Sequence, residues 1–184
     1  MEYRQRSYPL FAACGLNCGL CPRYQTDGAS KCPGCAGEGF LSKHPSCGVV
    51  SCCQRKDVEY CYLCEEYPCK KYDGADTADS FVVHNSLANF EKVGKYGIDG
   101  YKAELDEKIG ILEDLLANYN DGRRKNLFCI AVNLMELPDI KKVMARILSE
   151  VKPEESLKEK SALAVRLFQA MAEERGIVLK LRKK

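Results

Sequence analysis

Hydrophobic positions follow two regimes along this chain, and the boundary falls near residue 75. Before it, apolar residues come in short, aperiodic runs between Gly, Pro and Cys; after it they recur at helical spacing. Val83, Leu87 and Phe90 stand at i, i+4 and i+7, with Gly94 and Gly97 as punctuation. Tyr101, Leu105, Ile109, Leu112, Leu116 and Tyr119 form a longer stripe, with Asp99 as its cap and Asn120-Asp121-Gly122 as its stop. The run from Leu127 to Met135 is apolar nearly all round, which predicts a helix at the centre of a bundle. Pro138 opens the next helix, whose face is Ile140, Met144, Ile147 and Val151. Pro153 breaks it, and Leu163, Leu167 and Phe168 lie on a last helix ending near Gly176. Residues 177–182 alternate as a half-exposed strand would.

The fold class this predicts is mainly α. A Cys-rich lobe with little regular structure occupies residues 1–75, and an α-helical bundle with a short C-terminal strand occupies 76–184. Asp73-Gly74-Ala75-Asp76 reads as the turn between them. Leu10 to Cys14 reads as a short buried strand entering the lobe. The same stretch resembles a lipoprotein cleavage box, but only four apolar residues precede Cys14, against about 7–15 in a signal core. The absence of an export signal points to a cytoplasm, where thiols stay reduced.

Eleven of the twelve cysteines lie between Cys14 and Cys69. In a reducing compartment such a cluster is a set of metal ligands before it is a set of disulfides. Three C-x-x-C pairs, Cys18/Cys21, Cys32/Cys35 and Cys61/Cys64, each place two thiolates at the separation a tetrahedral ion needs. The Cys32-Pro33-Gly34-Cys35 turn resembles a zinc knuckle. A sequential scheme assigns Cys18, Cys21, Cys32 and Cys35 to one ion, and Cys47, Cys52, Cys61 and Cys64 to another. A cross-braced scheme uses the same residues, and Cys14 and Cys69, which bracket the lobe, can replace any of them. Cys53, adjacent to Cys52, is left off because neighbouring side chains diverge. His44 reads as a surface residue, His84 as a helical one, and Cys129 as core packing.

About two Zn2+ ions are therefore the expected cofactor, with an iron–sulfur cluster as the alternative, since four-cysteine sets hold either. The spacing Cys14-x3-Cys18-x2-Cys21 also has the form of the radical S-adenosylmethionine motif, but no βα repeats follow it. No H-E-x-x-H, G-x-S-x-G, Walker loop or dinucleotide fingerprint is present. All-cysteine ligation favours closed, structural sites over a catalytic ion with an open position. Pairs such as Glu104 with Lys108 mark solvated helix faces.

Composition adds limits. Apolar residues are 46% and charged residues 29%, an ordinary soluble balance. Eight thiolates holding two divalent ions would move the formal charge from +2 to about −2, so nucleic acid is not indicated as a partner. No apolar run approaches the roughly 20 residues of a membrane span. A protein partner is the remaining expectation.

The residues Cys14-Gly15-Leu16-Asn17-Cys18-x2-Cys21-Pro22, Cys32-Pro33-Gly34-Cys35, Cys47-x4-Cys52 and Cys61-x2-Cys64-Glu65-Glu66-Tyr67-Pro68-Cys69 resemble the domain-of-unknown-function family 3795. A weaker likeness continues over residues 89–97. The resemblance implies a zinc-binding protein with no established activity. The reading that follows is a cytoplasmic zinc-binding protein serving as an interaction or regulatory module, and the alternative is an iron–sulfur protein with a redox or electron-transfer role.

Overall fold

The computed structural model describes residues 4–73 and 86–180. Val83, His84 and residues 74–76, named above, lie outside them. Six α-helices are present among the described residues: α1 (Phe40–Lys43), α2 (Gly48–Arg55), α3 (Ser86–Asn118), α4 (Lys125–Leu134), α5 (Leu137–Glu150) and α6 (Leu157–Glu174). Single 3-10 turns form at Cys18–Leu20, Cys61–Leu63 and Lys70–Tyr72. The molecule is mainly helical, and its N-terminal part carries only short elements.

The periodic stripes become the buried faces. Tyr101, Leu105, Ile109 and Leu112 on α3 are buried, joined by Leu115, which the stripe did not include. Helix α4 lies at the centre, against α3 on one side and α6 on the other, while α5 pairs with α6. Its Phe128, Cys129, Ala131 and Val132 are fully enclosed, as an all-round apolar helix must be. Pro138 stands in the first turn of α5. Ser156 caps α6 through a reciprocal pair: its hydroxyl accepts from the Glu159 N–H, and the Glu159 carboxylate accepts from the Ser156 N–H. Gly97 interrupts α3 with φ 75° and ψ 163°, a backbone state open to glycine at little cost.

Two expected strands do not form. Residues 11–13 are buried, yet pair only through one isolated antiparallel bridge, Phe11 with Asn17. Residues 177–180 carry no strand either, because no second strand lies beside them among the described residues; the Ile177 N–H turns back to the Ala172 carbonyl at 2.8 Å. The remainder of that expected strand lies outside the described residues. Lys108 also departs from expectation. It is buried rather than solvated, and its ammonium donates to the Met135 carbonyl at 2.8 Å, just past the C-terminus of α4. A cation there complements the helix dipole.

One buried cluster runs from Phe11 and Tyr60 to Phe168 and Ala172, so lobe and helices share a core. Phe11 is its junction, with the rings of Tyr60, Phe90 and Tyr101 at 5.5, 5.7 and 4.7 Å. Polar contacts reinforce the joint. Asn17 accepts from the Tyr101 hydroxyl at 2.9 Å and donates to Asn133 at 3.0 Å, while Asn89 donates to the Gly15 carbonyl at 2.8 Å. Gly15 has φ +88°, and a Cβ there would stand 2.8 Å from the Ser86 carbonyl oxygen, so the close approach of α3 excludes a side chain.

At the far end, Arg175 clamps Asp139 with two bonds of 2.8 Å, tying the end of α6 to the first turn of α5. Those bonds hold the Asp139 carboxyl at about 2, below its ordinary 3.8. A depressed carboxylate pKa contributes stability that is present above pH 4 and is lost as pH falls toward 2. Arg175→Ala is therefore expected to lower thermal stability at neutral pH, with the gap to the parent chain closing below about pH 2. Thermal melts followed by circular dichroism across that range measure it.

Candidate metal-binding lobe

The lobe backbone is built from turns that aim sulfurs inward. The first 3-10 turn, Cys18–Leu20, rests on α3 and α4, and its closing bond runs from the Cys21 N–H to the Cys18 carbonyl at 3.1 Å. The same arrangement recurs at Cys61–Leu63, where the Cys64 N–H reaches the Cys61 carbonyl at 3.0 Å. The Cys18/Cys21 and Cys61/Cys64 pairs thus each straddle one tight turn. The knuckle before α1 is held from outside, its Cys35 N–H donating to the Pro9 carbonyl at 2.8 Å. Helix α2 carries Cys52 and Cys53, and its N-cap is Cys47. No disulfide is formed among the described residues.

The sulfurs fall into two groups, joined by an interaction of Cys14 with Cys61. In the first, Cys14 interacts with Cys35 and Cys47, Cys18 with Cys35 and Cys14, and Cys35 with Cys47. Cys21 and Cys32 join this group through Cys18, and Cys21 also interacts with the buried Cys129. Desolvation raises Cys14 and Cys18 well above an ordinary thiol, and the neighbouring sulfurs raise them further. Such thiols are poor nucleophiles until a cation compensates their charge.

The second group surrounds a cavity of about 20 Å³ lined by Cys52, Cys53, Cys61, Cys64 and Cys69, with Lys56 and Lys71 beside them. Cys53 and Cys61 touch, sulfur to sulfur, at 3.6 Å. That contact pulls Cys61 down to about 7 despite its burial, with Tyr72 and Lys71 assisting, and drives Cys53 upward. Within the pair, Cys61 is the sulfur that ionises more readily and Cys53 the one that keeps its proton.

Cys47 is near enough to Cys14 and Cys35 to interact with both, and Cys69 lines the second cavity with Cys52, Cys61 and Cys64. Cys53, left off the ligand set, stands among the second group. His44 is engaged elsewhere: its ring stacks on Phe40 at 4.5 Å and its Nδ1 lies 2.8 Å from the Pro45 carbonyl. Among the described residues, no group of three Cys, His, Asp or Glu side chains is arranged to hold an ion.

A buried arginine tests whether thiolates fit here. Arg6 lies between the two groups, with its side chain 8% exposed. Its Nη1 donates to the Phe11 carbonyl at 2.8 Å, its plane covers the Tyr60 ring at 4.6 Å, and Nη2 lies 3.6 Å from Glu59. Yet Nε and Nη2 are buried with no aligned hydrogen-bond acceptor. The same charge favours the ionised forms of Cys35, Cys53 and Cys61. Thiolates would supply the acceptors that neutral thiols supply poorly, so Arg6 favours ionised sulfurs beside it, the form in which cysteine binds a cation. The sequence offered no local sign of this residue, which sits in a polar lead far from the sulfurs it faces.

Residues 10–74 match the sequence model of a family described as protein of unknown function (DUF3795). That segment contains every sulfur of both groups, so the match covers the lobe and stops before α3. No curated protein and no solved structure matches the chain.

Proposed function

We propose that this is a cytoplasmic zinc-binding protein whose lobe folds around about two structural ions and serves as an interaction or regulatory module. The first ion is assigned to Cys14, Cys18, Cys35 and Cys47, among which Cys14 and Cys35 each interact with the other three sulfurs. The second is assigned to Cys52, Cys61, Cys64 and Cys69. The observation that carries the reading is the second cavity, of about 20 Å³ and lined by thiols. A volume near one water-sized sphere suits one ion and little else. Four sulfurs per ion close the coordination shell and leave no position for a substrate, which favours a structural role.

Metal analysis after anaerobic purification tests the reading. A colourless chain with close to two zinc ions is expected, and Cys35→Ser or Cys61→Ser should each lose one. Cys129→Ala should keep both and lose only packing, about 1 kcal/mol. A brown chain carrying iron and sulfide in place of zinc would overturn the assignment and install the iron–sulfur alternative.

A further inference from the structure

Four sulfurs complete a tetrahedral site, and the second group has five. The surplus sulfur is Cys53. It follows Cys52 on α2, so the two side chains leave the helix about 100° apart. Cys52 is partly exposed, whereas Cys53 is 4% exposed and meets Cys61, 8% exposed, at 3.6 Å. A disulfide needs about 2.05 Å between sulfurs, so closure takes roughly 1.5 Å of movement shared by two side chains. Both backbones are anchored while this happens: the Cys61 N–H donates to the Ala13 carbonyl at 2.8 Å, and the Cys53 carbonyl accepts from the Val58 N–H at 3.0 Å.

We propose that Cys53 and Cys61 form a reversible disulfide that removes Cys61 from the second ion and releases it. This rests on the reading of that group as a metal site. Access comes from the other side of Cys53, which also lines a cavity of about 240 Å³ with Arg4, Arg6, Gln54 and Glu59. That volume admits a small hydroperoxide, the oxidant the reaction requires, since a water molecule occupies about 30 Å³ of liquid.

The chemistry closes without further reactants. The Cys53 sulfur, which lines that cavity, attacks one oxygen of hydrogen peroxide; the O–O bond breaks, and the departing hydroxide takes the Cys53 proton and leaves as water. Cys53 is now a sulfenic acid. The Cys61 thiolate attacks the Cys53 sulfur; the S–S bond forms, the S–O bond breaks, and the second hydroxide takes a solvent proton and leaves as water. Two sulfurs together lose two electrons, and the peroxide is reduced to two waters. Cys52, Cys64 and Cys69 remain as three ligands, and the ion departs. A dithiol reductant reverses the step by thiol–disulfide exchange.

The test uses the full chain after its zinc content has been measured. Hydrogen peroxide is added, zinc release is followed with a chromogenic chelator, and the products are mapped by proteolysis and mass spectrometry. Expected results are one ion released, a peptide crosslinked through Cys53 and Cys61, and recovery with dithiothreitol and zinc. Cys53→Ser should bind the full complement of metal but release it at least about tenfold more slowly, because the thiol that meets the peroxide is gone. Cys53→Ala should behave alike, which separates lost chemistry from a misplaced hydroxyl. A chain that binds two ions yet releases one at the parent rate in Cys53→Ser, or crosslinks other sulfurs instead, overturns this inference alone. A chain that binds no metal but still crosslinks Cys53 to Cys61 refutes the metal reading and establishes the thiol pair.

Discussion

Stripping the proposed zinc ions with a strong chelator is expected to erase amide protection across residues 10–73 while α4, α5 and α6 stay protected. The lobe has few resources of its own: its longest helix is the eight residues of α2, and the rest is 3-10 turns and loops. A structural zinc contributes about 10–16 kcal/mol of apparent binding free energy. That matches or exceeds the roughly 5–15 kcal/mol by which a whole domain is stable. The lobe without its ions should therefore be unfolded. The bundle rests on buried apolar side chains, Leu112, Phe128, Ile140, Ile147 and Phe168 among them, and none of these depends on a sulfur. The first part of α3 should respond in between, since Phe90 would lose the rings of Phe11, Tyr62 and Tyr67. Hydrogen exchange by segment, before and after chelation, reads all three. Loss of protection in α4–α6 together with the lobe would make the chain one cooperative unit and end the two-part description.

Phe11→Ala should cost about 3–5 kcal/mol, the range for emptying a large aromatic site in a packed core. Phe11 has no exposed surface, and its ring meets rings from the lobe and from both parts of α3. Its neighbours cannot easily collapse into the void: the Tyr101 hydroxyl is held by Asn17, and Tyr60 lies under the Arg6 guanidinium. For a chain of this size the melting temperature should fall by about 10 °C. Calorimetry on the metal-loaded variant measures it. A change of only a degree or two, with metal content intact, would show that lobe and bundle are joined by something other than this residue.

The helices were legible because burial on a helix repeats with its own period. Tyr101, Leu105, Ile109 and Leu112 carry that period in their spacing and need no partner to reveal it. What was not legible depends on residues distant in sequence. Lys108 follows Glu104 at the spacing of a surface ion pair, but the carbonyl that buries it belongs to Met135. Arg6 is one polar residue among several until the fold brings it to Cys35 and Glu59. Residues 177–180 alternate correctly, yet alternation alone forms no strand without a neighbour to pair with. The cysteines divide the same way. Their spacing shows which of them are close along the chain, whereas membership of a group depends on where α2 carries Cys52 and Cys53 and on its N-cap bringing Cys47 near Cys14 and Cys35. Helix α2 itself was hidden because its apolar face is partly sulfur, with Cys53 beside Val50.

The break at Gly97 governs more than the outline of one helix. Phe90 and Tyr101 are eleven residues apart, which on an unbroken helix is about 16 Å of rise. Both rings nevertheless lie against Phe11, at 5.7 and 4.7 Å. A straight α3 of 33 residues would be about 50 Å long and could offer Phe11 only one of them. The glycine turns a rod into a pair of jaws, and the lobe is gripped because the rod is bent.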